Sequence, residues 1–414
     1  MGELGVGAQS RPPQCGRGSD CGPHLDLAPN LEARQGLTRG RTEAILLPTE
    51  SGLNFRDSSL KSLEYGGRGL MCDEHGVYEA AVVEGRVGRR LTVERVRQLN
   101  SRTYFYDMLK DNPQLTAIYP GIEDELLVGA IDHHIHAYPD FVHRSQDMVQ
   151  IAIDASRARM RAVAFKDHWH LTAGAAYLVQ RQIDDMVKDG RLEHRVEVYG
   201  GLGMNLGINP EAVEIGLKYP NFKCIWFPTF KSFGWARSAG LEPEKTGGYV
   251  RLVAPSGEVL PEVREVMAMA AEAGVAVALG HTDYEELLPL CTLAKDLGLR
   301  TVLDHPLLEL NKLLLEEMVT LAGLGTYVGT YCQPMIPSLY QPIQDPMETV
   351  ETIRRVGAER CLVGSDFGQV LHVDSIDGIR VFVRALLGFG IPAADIRTIL
   401  RDNPARLLGL DPVA

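Results

Sequence analysis

Long apolar runs are missing from these 414 residues. No stretch approaches the roughly 20 apolar residues that a membrane-spanning helix needs, and the N-terminus lacks the basic-then-apolar order of a secretory leader. Paired cysteines are missing too: the seven present are scattered, odd in number and never spaced C-x-x-C. A chain this long has no need of covalent staples, so reduced thiols in a cytoplasm are expected. Positive charge is in deficit, with 42 Lys and Arg against 54 Asp and Glu, a formal net charge of −12. That balance speaks against the basic face of a nonspecific nucleic-acid binder. The expectation is a soluble, acidic, cytoplasmic protein with neither nucleic-acid nor membrane partners. At 45% hydrophobic it can bury a large core, enough for one big domain or two modest ones.

What is present comes in order along the chain. Residues 1–90 carry Pro12-Pro13, Gly22-Pro23, Gly66-Gly67 and further glycines that interrupt every periodic segment. Such a stretch buries too little apolar area to offset its ordering entropy, so 1–90 is expected to be a mostly disordered extension. Cys15, Cys21 and His24 lack a second ligand pair and do not make a zinc knuckle. Helical spacing (Val93, Val96, Leu99, Tyr104, Met108) then predicts a helical lead-in and linker over 91–125. Strand-like apolar runs follow at 126–136, 161–167, 195–202, 222–228, 275–281, 300–305, 325–331 and 360–365, with helical patterns between them. Asn209-Pro210 and Pro261 mark helix starts, Gly274 and Gly298 helix ends. Strands alternating with helices imply a parallel sheet. Eight such units predict an α/β fold, a (β/α)8 TIM-like barrel over 126–411, with an open doubly wound sheet as the alternative.

The chemically capable residues fall at one end of these strands. His134 and His136 end the first, and alternation places them on one face with His133 opposite. Two neutral imidazoles so placed suit a divalent transition metal. Lys166, Asp167 and His168 end the second strand, and Gly200 to Asn205 follow the third. His281, His305 and Asp366 end the fifth, sixth and eighth. Each alone has a bland explanation: His305 could shape a turn before Pro306, and Asp366 could cap a helix. Together they point to the C-terminal rim of a barrel, where function collects. The glycines of 200–207 do not have dinucleotide spacing. Residues 230–260, with Phe233, Trp235, Arg237 and Tyr249, are long enough to form a lid over the rim.

With Asp132-x-His134-x-His136, Gly280-His281, Asp304-His305-Pro306 and Val363-Gly364-Ser365-Asp366-Phe367 in this order, the chain resembles the amidohydrolase superfamily of metal-dependent barrels. The last motif, and Asn403-Pro404-Ala405-Arg406-Leu407-Leu408-Gly409-Leu410, are similar to its amidohydrolase-related branch. Lys166-Asp167-His168 and Trp226-Phe227-Pro228-Thr229 suggest an uncharacterised subgroup. Two features depart from the pattern. Where many two-metal members have a bridging lysine on strand four, this chain has Trp226-Phe227-Pro228-Thr229. Ala164-Phe165-Lys166-Asp167-His168 is similar instead to a motif of the polymerase-and-histidinol-phosphatase family.

The resemblance implies a metal-dependent hydrolase of a small, anionic molecule. The implied ligands are His134, His136, His168, His281, His305 and Asp366, holding one or two divalent ions, zinc before manganese or iron. Asp366 would be the proton shuttle, with His305 and Lys166 as further catalytic groups. Arg144, Trp226 and Asn205 would contact substrate, Arg144 because a guanidinium suits a carboxylate or phosphate. The alternatives are a single-zinc nonoxidative decarboxylase, a phosphoesterase, or an inactive binding barrel. A homo-oligomer is expected.

Overall fold

The computed structural model describes residues 118–308, 312–338 and 344–411, together with the backbone of four strands nearer the N-terminus. Those four, β1 (Leu63–Tyr65), β2 (Arg68–Cys72), β3 (Tyr78–Val83) and β4 (Arg86–Gly88), pair antiparallel in sequence order. They lie within 1–90, where the interrupted pattern predicts little structure; glycine pairs break periodicity, but they are also what short hairpins require. The rest of 1–90, and the helical spacing over 92–109, lie outside the described residues.

The apolar run 126–131, read above as the start of a strand, divides in two. Leu126 and Leu127 end a helix, Ile122–Leu127, whose first turn carries Glu123, Asp124 and Glu125, the sign of charge that a helix N-terminus favours. Gly129, at φ 76°, then turns the chain into β5 (Ile131–Ile135). Apolar character alone does not separate a buried helix end from a buried strand.

Seven more strands follow, each parallel to the last: β6 (Ala162–Phe165), β7 (Glu197–Gly203), β8 (Phe222–Trp226), β9 (Ala276–Ala278), β10 (Thr301–Leu303), β11 (Tyr327–Gly329) and β12 (Cys361–Leu362). The sheet runs in sequence order and curls. Between the residues at and beyond its two edge strands, His136 N–H donates to Phe367 O and Asp366 N–H to His134 O, both at 2.9 Å. Helix boundaries follow local chemistry. Asn209 caps Pro210–Gly216 by accepting from Ala212 N–H, Pro261 opens Pro261–Ala273, and Gly274 and Gly298 end their helices in the left-handed conformation.

Alternation assigns the two faces of the sheet. Ile225, Val277, Leu303, Val328 and Cys361 belong to the large core that includes the helices. Their neighbours Cys224, Trp226, Ala276, Ala278, Val302, Tyr327 and Leu362 form a separate cluster on the other face. Leu407 completes that cluster from the terminal helix Asn403–Leu408. This helix sits at the N-terminal ends of the strands, since Arg300, just before β10, donates to Leu407 O, and Arg161, just before β6, donates to Asp411 O. The C-terminal ends are left for the polar residues.

Residues 230–260 are packed rather than free-standing. Phe233, Ala236, Leu252 and Val253 are buried, and Arg251 lies 3.5 Å over the Phe233 ring. Glu286 accepts from Leu252 N–H, Val253 N–H and the Thr282 hydroxyl, tying this segment to the loop that follows His281. No helix among the described residues is long and apolar enough to cross a membrane.

Candidate metal centre

Asp366, just beyond β12, is the hub of the polar cluster. Its Oδ1 lies 3.4 Å from His134 Nε2 and 3.3 Å from His136 Nε2, and its Oδ2 lies 3.4 Å from His305 Nε2. The His134 side chain is fully buried whereas that of Asp366 is 12% exposed, so solvent reaches the cluster from the Asp366 side. Only three non-glycine residues among those described have left-handed φ; two of them are Asp366 (53°) and His305 (36°). Such backbone costs roughly 1–3 kcal/mol and persists where its surroundings over-determine it. Gly368 is part of that support: a Cβ there would sit 2.2 Å from His136 O.

The strand β5 enters the cluster through a bulge. Its pairing with β6 shifts between Asp132 and Ile135, one residue more than simple alternation allows. His133 therefore does not face away, as alternation predicts. His133 Nδ1 donates to Val363 O at 3.1 Å, and Nε2 meets the Tyr331 hydroxyl at 3.2 Å. The same hydroxyl donates to Asp304 Oδ1 at 2.5 Å and lies 3.1 Å from His134 Nδ1. Asp304 Oδ1 also accepts from His134 Nδ1 at 3.2 Å. The bulge itself is held by Asp132, whose Oδ1 accepts from His134 N–H and, across the gap, Ser365 N–H.

Burial holds the His136, His168 and His281 imidazoles well below their usual pKa and lowers His305 less. Neutral rings are the form that ligates metal. Burial lowers His133 to about 3. For His134 burial and Lys166 act downward, but the Asp304 and Asp366 carboxylates together outweigh them and raise it. Asp366 shows the reverse: burial pushes it up, while electrostatic attraction to the nearby His305, His134 and His136 imidazoles pulls it well below the carboxylate range.

The other residues singled out from sequence are gathered around this core in different ways. The His281 ring stands edge-on to His305, centroids 4.7 Å apart. His168 stacks on His136 at 4.7 Å, and its Nδ1 meets the Thr229 hydroxyl at 3.0 Å. Lys166 Nζ is buried without a hydrogen bond and forms an ion pair at 3.7 Å with Asp304 Oδ2, which also lacks one. Arg144 is engaged by Asp140 Oδ2 at 2.6 Å and donates to His136 Nδ1 at 3.2 Å. The Asn205 amide binds His168 O, Thr229 and Lys231 N–H, which makes it a clamp between strand-end loops. Trp226 is buried beneath His134, ring centroids 6.3 Å apart. Asp304 and Tyr331 were not singled out as site residues. Each lies just past the end of its strand, the position that identified the others, and that was the signal available.

The donor set suits a divalent ion. Bonds of about 2.0–2.2 Å to nitrogen and carboxylate oxygen give donor–donor edges of about 3.4 Å in a tetrahedron, close to the spacings around Asp366. One atom each of His134, His305 and Asp366 falls within 4.8 Å of the others. His134 Nε2 is buried and lacks a hydrogen-bond partner, while Asp304 holds the proton on its Nδ1, the tautomer a ligand needs. His136 fits less simply: a guanidinium only donates, so the Arg144 contact leaves the His136 proton on Nε2. The second grouping, His133, His134 and Asp304, has the Tyr331 hydroxyl among its donors and is filled by it.

Residues 129–329 match a family model described as a family of unknown function (DUF6282). No curated protein matches the chain. Among solved structures, an amidohydrolase from Pseudomonas aeruginosa shares 14% identity over 70% of this chain and 98% of its own, with a TM-score of 0.46. An amidohydrolase from Burkholderia multivorans described with bound zinc shares 11% identity, covering 68% and 99% at a TM-score of 0.44. A 2,6-dihydroxybenzoate decarboxylase from Rhizobium shares 14%, covering 68% and 99% at 0.39. The chain matches a family of unknown function over 129–329 and is similar to solved structures described as amidohydrolases.

Proposed function

We propose that the curled sheet is a closed (β/α)8 barrel and that the chain is a metal-dependent hydrolase of a small molecule. The observation that carries this reading is one carboxylate, Asp366, set 3.3–3.4 Å from three imidazole nitrogens at the strand ends. His134, His305 and Asp366 would hold the ion, with His136 joining once Arg144 withdraws from its Nδ1; His281 and His168 line the same cluster. A divalent ion supplies Lewis acidity at the scissile group and lowers the pKa of water. The chain's own groups then manage the protons. Asp366 accepts one proton from the attacking water and returns it to the leaving group, so its carboxylate is regenerated in each turnover. Asp304 keeps His134 in one tautomer and orientation, and Lys166 balances the Asp304 charge.

Metal analysis of purified protein and turnover of a panel of esters, lactones and amides test the reading. The expected result is about one divalent ion per chain, with turnover lost on chelation and restored by zinc. A wild-type chain that takes up neither zinc, manganese nor iron would overturn it.

A further inference from the structure

Partly exposed rings lie beside this cluster. Phe230, four residues past the end of β8, lies 4.7 Å from the His168 ring and 6.0 Å from the His281 ring, edge-on to the latter at 85°. Although it touches the buried His168 and His281 rings, it is 42% exposed. Trp169 follows His168 directly, its backbone N–H held by Asp167 Oδ1, and its ring meets Phe141 at 5.8 Å; Phe141 is 63% exposed. Aromatic surface left wet beside a buried polar site is unfavourable unless something apolar covers it. Several polar groups alongside are engaged within the chain: Arg144 by Asp140, His168 Nδ1 by Thr229, and the Asn205 amide by its own loops, while Trp169 Nε1 and His281 Nδ1 have no hydrogen-bond partner.

We infer that the substrate carries a planar apolar group, an aromatic ring in the simplest case, next to the bond that is broken, and that Phe230 selects it. This rests on the metal-dependent reading above. Offset or edge contacts with Phe230 would hold such a ring while its polar substituent reaches Asp366 and the histidines. The Arg144 guanidinium already faces the Asp140 carboxylate.

The test compares benzohydroxamate with acetohydroxamate, two chelators with one metal-binding group that differ in the ring. Zinc content is measured first, then binding by calorimetry to zinc-loaded wild type, Phe230→Leu and Phe230→Ala. Wild type should bind benzohydroxamate about tenfold more tightly than acetohydroxamate. In Phe230→Ala that preference should fall to within about twofold, with acetohydroxamate affinity unchanged, and Phe230→Leu should lie between. Equal affinities in zinc-loaded wild type, or a preference that survives in Phe230→Ala, overturns the ring selection and leaves the metal reading standing. A wild type that holds no zinc overturns the metal reading and the inference with it.

Discussion

Asp366 combines three demands in one residue: a left-handed backbone, a carboxylate facing three imidazoles, and partial contact with solvent. Asparagine is among the residues that tolerate left-handed φ best, so Asp366→Asn should fold normally while losing its basicity. Turnover is expected to fall by about two to four orders of magnitude, with zinc affinity weakened less than in His134→Ala. Wild-type turnover at full zinc occupancy would remove Asp366 from the chemistry. Tyr331 makes a different prediction, because its hydroxyl touches Asp304, His134 and His133 but not Asp366. Tyr331→Phe should leave Asp304 short of a partner and cost about 1–3 kcal/mol of stability. It should also weaken zinc binding by about 10–100-fold, as loss of a group that orients a ligand does. A zinc titration matching wild type would show that Asp304 alone orients His134.

Between strands, the segment 230–260 decides how fixed the approach to the site is. Glu286 lies in the helix Tyr284–Leu297, is buried, and receives two backbone N–H groups of this segment. Arg237 adds a paired contact to Asp283, the residue that caps the same helix. A segment held at both places is expected to act as a wall rather than as a hinged lid. Glu286→Ala would orphan the N–H groups of Leu252 and Val253, at about 1–3 kcal/mol each. Hydrogen exchange should therefore rise at 250–254 while zinc stays bound, since none of the residues around Asp366 is touched. Unchanged exchange there would mean that apolar packing of Phe233 and Leu252 suffices.

At the scale of the whole molecule, Cys224, Cys291, Cys332 and Cys361 are free and buried. Burial pushes the Cys291 thiol up to about 12 and raises the other three as well. A raised thiol pKa means that thiolate is scarce below that value, so neither access nor ionisation favours reaction. Native protein treated with a thiol reagent at about pH 8 should keep these four unmodified, as read by peptide mass mapping, and lose that protection on unfolding. Labelling of Cys224 in the folded state would mean that the face carrying Trp226 opens to solvent.

The order of strands and helices, the helix caps at Asn209 and Pro261, and the placing of His134, His136, His281, His305 and Asp366 at one end of the sheet were legible in the sequence. They rest on local signals, namely periodicity, capping chemistry and residue type at an element's end. Other features had no local signal. The split of 126–131 into helix and strand depended on Gly129 and on what Leu126 and Leu127 pack against. The direction of His133 depended on a bulge that exists only because β5 must meet β6 and Ser365. The partners of Asn205 depended on loops brought together from separate strands, whereas those of Arg144, Asp140 and His136, lie in its own segment. The roles of Asp304 and Tyr331 arise from three strand ends meeting at one hydroxyl. Sequence fixes which chemical groups are delivered to the strand ends; burial and distance, which only the folded chain supplies, decide which of them face one another.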